Sequence, residues 1–359
     1  MGYNMRRRII LLAIIFGAIT SCKELYDPKI DIVGTPLVVE GLITDEAKPY
    51  SIKLTKALPF NNNNNNVNEY TFEYTGVSKA TVTVSDDCGY TYHFTEIDSG
   101  GVYMSDPAEF VGVPGRSYTL SIKTIDNKEY RSAPQLLLPN HFNVKVSAEF
   151  GTRDQLVVDN WGDYNKVTVE GTNILYDIEN MDTSARFRYG HKTYKQYTES
   201  GKTENRCWGL LPDNDLANII DTYSTSAKNI EKHNVCFIPI AKNTSIIHEG
   251  SDYVIIITKL ITKVTQYRLN DETYQFYKNV NSVLAATNKI FDPITLQVKG
   301  NVKCISDNTV EVFGFFEASS AVVSYYALNP GSKELQFIKS YEPPYDYGCP
   351  TIPPDFWVP

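Results

Sequence analysis

Ala80-Thr81-Val82-Thr83-Val84 places Ala80, Val82 and Val84 on one side of an extended chain and Thr81 and Thr83 on the other, and it stops at Asp86-Asp87. A period of two is that of a half-buried β-strand, and the acidic pair that ends it is a turn signal. Outward from this run the pattern repeats at short intervals. Tyr90, Tyr92 and Phe94 share one face of the next segment, and Tyr118, Leu120, Ile122 and Thr124 share another before Asp126-Asn127 turns the chain back to Tyr130. Upstream, Leu37-Val38-Val39-Glu40-Gly41-Leu42-Ile43 is mostly apolar and Ser51-Ile52-Lys53-Leu54 alternates. Short strands at such spacing predict an immunoglobulin-like antiparallel β-sandwich over residues 36–139.

Within it, Asn61 to Asn66 is a run of asparagines. Asparagine favours turns over ladders, so the run reads as an exposed insertion between strands. Leu136-Leu137-Leu138-Pro139 marks the exit into a second, larger β-rich domain, 140–342, with strand candidates at 143–148, 167–171, 173–178, 252–261, 296–305 and 310–316. One stretch departs from the period of two. Asp271-Glu272-Thr273 forms a helix start with acids against the dipole, and Tyr274, Tyr277, Asn281 and Leu284 recur at helical spacing, so a helix is expected near 272–287. Residues 343–359 form a Pro-rich extended tail carrying Tyr345, Tyr347, Phe356 and Trp357. The fold class is therefore mainly β in two domains with one helix.

The N-terminus carries a different signal. Arg6-Arg7-Arg8 precedes an apolar run from Ile9 to Ile19, and Ile19-Thr20-Ser21-Cys22 follows the layout of a bacterial lipobox. The run is too short for a membrane span, which takes about 20 apolar residues. Residues 1–21 read as a lipoprotein signal peptide, Cys22 as the lipidated first residue of the mature chain and 22–35 as a tether.

Composition bounds the function. The chain has a formal charge of −8, and removing the three arginines of the leader gives −8 − 3 = −11 for the mature body, a sign that argues against nucleic acid. Twenty-five Tyr and 16 Phe fit β cores or an aromatic binding face. Besides Cys22 there are Cys88, Cys207, Cys236, Cys304 and Cys349, none in a zinc-like spacing. An exported chain favours disulfides, and Cys207–Cys236 with Cys304–Cys349 are the preferred pairs. Trp208, beside Cys207, reads as packing on that disulfide or as an aromatic platform. Tyr189, Tyr194 and Tyr197 lie in the Lys/Arg-rich stretch 186–202, read as a solvated hairpin or a partner-facing loop. Possible binding residues are thus Trp208, Tyr194 and Tyr197.

No His-Glu-x-x-His helix, Gly-x-Ser-x-Gly elbow or phosphate loop occurs, and His93, His141, His191, His233 and His248 are scattered. The expectation is no catalytic residue, no metal site and no cofactor.

Leu37–Asp45 after a lipobox, Gly115–Ile122, Glu272–Tyr277, Ile290-Phe291-Asp292-Pro293, Gly300-Asn301-Val302 and Val312–Ser319 follow one another in an order that resembles the Bacteroidota lipoprotein family catalogued as domain of unknown function 4249. The likeness runs over nearly the whole mature chain. It implies an accessory lipoprotein of a TonB-dependent outer-membrane receptor, lipid-anchored in the outer membrane with the cell-surface face preferred, and a ligand the sequence does not name. The alternatives are a structural or adhesive surface lipoprotein and, behind it, a hydrolase working through a pair of carboxylates.

Overall fold

The structure is a computed structural model that describes residues 35–56, 75–158, 164–179, 181, 185–199, 206–210, 218–221, 229–239, 255–286, 298–328 and 339–340. The signal segment with Cys22, the asparagine run, His248, Cys349 and the Pro-rich tail lie outside them. The first strands are β1 (Leu37–Ile43), β2 (Ser51–Lys56), β3 (Thr75–Gly76), β4 (Thr81–Asp86), β5 (Thr91–Ile97), β6 (Val102–Ser105), β7 (Ser117–Lys123), β8 (Glu129–Ser132) and β9 (Gln135–Leu136). Then come β10 (Val144–Val158), β11 (Tyr164–Ile178), β12 (Arg186–Glu199), β13 (Arg206–Leu210), β14 (Asn218–Asp221), β15 (Ile230–Pro239) and β16 (Ile255–Arg268). Helix α1 (Asp271–Ala286) precedes β17 (Val302–Cys304), β18 (Val312–Ala318), β19 (Ser320–Leu328) and β20 (Lys339–Ser340).

The expected mainly β fold is present. The alternating run at 81–86 becomes β4, with Val82 and Val84 buried and Thr81 exposed, paired on one side with β5 and on the other with β7. An 11-stranded sheet follows the path β17-β8-β7-β4-β5-β6-β2-β1-β18 and rolls over one core that includes Val39, Ile52, Leu54, Val84, Leu120 and Phe316. An aromatic cluster fills its centre: the Phe110 ring stacks on Tyr92 at 4.3 Å and meets Tyr50, Phe94 and Tyr118 edge-on. The Tyr118 hydroxyl accepts from the Val113 N–H at 2.7 Å, the tyrosine-corner arrangement expected of an immunoglobulin-like sandwich.

The boundary at residue 139 does not divide the chain cleanly. β18 pairs in parallel with β1 from Leu37↔Val312 to Ile43↔Ala318, and β17 pairs with β8, so the first sandwich is completed by segments from far downstream. A β1 edge left bare would expose a row of unpaired backbone groups above a buried apolar face, and the run Val312–Ala318 covers it. The Asn301 side chain ties the two rims together, donating to the Phe316 carbonyl at 2.8 Å and accepting from the Phe316 N–H at 2.9 Å.

The second sandwich packs a 3-stranded sheet, β10-β11-β15, on a 6-stranded sheet whose path is β13-β12-β16-β19. Ile174, Tyr176 and Ile178 meet Phe187, Tyr189 and Val264 between them. Strands β10 and β11 run to 15 residues each, longer than the pattern at 143–148 and 167–178 indicates, because their outer halves form a ribbon beyond the core where no apolar period is needed.

Residues 186–199 of the basic stretch are neither a loop nor solvated on both faces: they are β12, an inner strand of the six-stranded sheet, with Phe187, Tyr189 and Thr193 turned into the core. Its basic residues obscured that alternation. No disulfide occurs among the described residues, and Cys349 and the side chain of Cys207 lie outside them. Cys304 belongs to the first core and Cys236 to the second, where a small apolar side chain fills space.

Candidate functional site

The two sandwiches meet at α1. The Asn270 side chain accepts from the Thr273 N–H at 2.8 Å, capping the helix one residue before the expected acidic start. Asn270 and Thr273 also donate to Gln135 Oε1, at 3.1 and 3.2 Å, while Gln135 Nε2 donates to Glu272 at 2.6 Å. Gln135 belongs to β9 and is fully buried, so this network fastens the first sheet to the start of the helix.

One turn further along, Arg188 of β12 reaches across to Glu317 of β18. Its Nη2 lies 3.0 Å from each carboxylate oxygen, and the two side chains are 15% and 3% exposed. The Tyr277 hydroxyl donates to Glu317 Oε2 at 2.6 Å and the Ser319 hydroxyl to Oε1 at 2.8 Å. The guanidinium lies 4.2 Å from the ring centre of Tyr267 and 4.7 Å from that of Tyr277, a double cation–π contact in a site screened from water. Burial works against the charge on Arg188, but Glu317 outweighs it and holds the guanidinium's pKa above its ordinary value. Burial, reinforced by Glu317, pushes the Tyr277 phenol well up, so it stays a donor at neutral pH.

Beside this cluster a shallow groove of about 380 Å3 runs between α1 and the segment entering β17. Phe276 and Phe315 stack at 4.4 Å at its base, and Glu272, Gln275, Asn279 and Lys299 rim it. The arrangement is chemically that of a clasp: Glu317 takes bonds from Arg188, Tyr277 and Ser319 across the junction, while Arg188 Nε is buried with no hydrogen-bond partner.

The clasp gathers the distant motifs of the chain. β1 and β18 are zipped in parallel, Asn301 bridges to Phe316, and Glu317 takes its bonds from the helix and from β12. The family model described as a domain of unknown function (DUF4249) matches residues 23–324. The chain belongs to that family. No curated protein matches it. The segments 37–45, 272–277, 300–302 and 312–319, all inside the matched span, thus converge on one junction.

Of the residues singled out by sequence, Tyr194 is half-buried near Tyr325, which together with burial raises its phenol pKa. Tyr197 pairs with Cys207, and Gln196 with Trp208, along the β12–β13 ladder; the side chains at 197, 207 and 208 are outside the description. The structure therefore brings these positions together on one hairpin, away from the Arg188–Glu317 clasp. Arg188, Glu317 and Tyr267 were missed. The available signal was Glu317 itself, an acid in the apolar run Phe313-Gly314-Phe315-Phe316-Glu317-Ala318, which demands a buried partner.

Among the described residues no group of three His, Cys, Asp or Glu is placed to hold a metal. His233 sits in the second sandwich with its ring 5.2 Å from that of Tyr189, and burial lowers its pKa from 6.5. The folded protein thus prefers the neutral imidazole. Its contribution is full above the unfolded-state pKa of about 6.5 and is lost as pH falls from there through the lowered folded value. Urea titrations from pH 7.5 down to 5 are expected to show stability falling with pH, and His233→Gln to flatten that fall.

Proposed function

We propose that this DUF4249 protein is a non-enzymatic outer-membrane lipoprotein of the Bacteroidota that docks with a TonB-dependent transporter and helps capture its cargo. The observation that carries the reading is Arg6-Arg7-Arg8, the apolar run to Ile19 and Ile19-Thr20-Ser21-Cys22 at the head of a large β body. A cysteine so placed is acylated on its thiol and, after cleavage, on its amino group, and more than one chain gives stable anchoring. The body supports a binding role: the ionisable groups at its junction are committed to holding two sandwiches in one arrangement, which favours a preorganised surface.

Cys22→Ala is expected to move the protein from the membrane fraction to the soluble fraction, and unchanged sedimentation with membranes contradicts the anchor. Purification of the wild type from native membranes in mild detergent then tests the partner. Recovery with a β-barrel receptor supports the transporter role, and recovery alone counts against it.

A further inference from the structure

The topology of the first sandwich gives the anchored molecule a direction. The tether enters at the start of β1, and Leu37 pairs with Val312 and with Lys56, so the beginning of β18 and the end of β2 lie at the same rim. Following the ladders outward, β5 ends at this rim with Ile97, β4 starts there with Thr81, β7 ends there with Lys123 and β17 ends there with Cys304. The opposite rim holds Ile43 and Ala318, from which the chain passes to β19 of the second sandwich. The Gln135–Glu272 and Asn270–Leu136 contacts to the helix are also on that side. The second sandwich therefore stands at the end away from the tether.

Exposed apolar side chains occur at both rims, Val113 at 42% and Leu136 at 38% on the side of the helix, but those at the tether rim form a row. Large exposed aliphatic side chains occur at the tether rim on three separate strand ends: Ile97 at 41%, Ile125 at 72% and Ile305 at 53% exposure. They follow one another along the arc β5-β4-β7-β8-β17, about 10 Å between successive positions at two strand spacings each. Ile125 and Ile305 flank Glu129, whose carbonyl accepts from the Ile305 N–H at 2.7 Å. Two ion pairs lie among them, Lys123 with Glu129 at 3.0 Å and Lys128 with Asp126 at 3.9 Å, while the exposed Asp98 beside Ile97 carries its charge into solvent. A row of aliphatic tips among polar and charged neighbours suits the interfacial layer of a bilayer, which takes both.

We propose that the rim bearing Ile97, Ile125 and Ile305 is the membrane-facing end of the mature protein, these side chains resting in the leaflet that holds Cys22, with the second sandwich projecting away from it. This orientation rests on the Cys22 anchor. The 35 − 22 = 13 residues from Cys22 to Thr35 extend at most about 45 Å. That span alone leaves the body free to tumble, so the isoleucines fix which end lies down.

The test uses the lipidated mature protein reconstituted in phosphatidylcholine vesicles, with benzoylphenylalanine replacing Ile125, Ile305 or, at the opposite rim, the exposed Tyr90. Irradiation followed by mass spectrometry counts lipid adducts. Several-fold more adducts at positions 125 and 305 than at 90 are expected. Vesicle binding with equal adducts at all three, or more at 90, overturns the orientation while leaving the anchor standing. Failure of the wild-type protein to float with the vesicles overturns the anchor and the orientation together.

Discussion

Glu317→Ala is expected to lower the unfolding free energy by about 3–5 kcal/mol, the cost of leaving a buried charge without its partner. Arg188 would keep its charge, sandwiched between Tyr267 and Tyr277, with nothing to neutralise it, and the Tyr277 hydroxyl would lose its acceptor. Urea denaturation followed by tryptophan fluorescence measures the loss. The double variant Arg188→Met/Glu317→Leu separates charge from packing. It removes both ions and keeps apolar volume, so it should recover much of the stability, since a buried pair replaced by well-packed apolar groups is often neutral. A double variant as unstable as the single one would show that the junction depends on the bonds from Tyr277 and Ser319 and not on charge balance.

Gly314→Ala is expected to be at least as damaging, at about 3 kcal/mol or more, by an unrelated route. Gly314 has φ of 86°, in the region that costs a residue with a Cβ about 1–3 kcal/mol. It also pairs with Val39 across the parallel ladder, and a Cβ there would lie 2.0 Å from the Val39 carbonyl oxygen. That atom is backbone in the centre of a sheet, so relief requires β1 and β18 to part. Because β18 carries Glu317, separation of the strands loosens the clasp as well. Hydrogen exchange is the sensitive measurement: amides of 37–43 and 312–318 should lose protection together in Gly314→Ala, and unchanged protection there would contradict the account.

Much of the fold was legible because short-range periodicity carries it. The alternation at 80–84 and 118–124 matches β4 and β7, and the helix expected at 272–287 from the spacing of Tyr274 to Leu284 matches α1 to within a residue at each end. The stretch 186–199 was misread because its outward-facing residues are Arg188, Lys192 and Tyr194. Two of these are basic, and the pattern resembled a solvated surface until the helix and β18 were seen to cover Arg188. Cysteine pairing was not legible at all: spacing along the chain says nothing of which sheet a thiol faces, and Cys236 and Cys304 lie in two different cores.

The sequence by itself determined the element types, the mainly β class, the helix near residue 272 and membership of the family. Each of these depends on interactions between residues a few positions apart, or on the linear order of segments. Only the tertiary structure decided that β18 returns 312 − 37 = 275 positions downstream to pair with β1, that Arg188 finds Glu317 129 positions away, and that three isolated isoleucines share the rim at which the tether enters. Those pairings are set by which apolar edges and buried charges remain unsatisfied once the local elements have formed. That competition is settled in three dimensions, and the spacing of residues along the chain leaves no record of it.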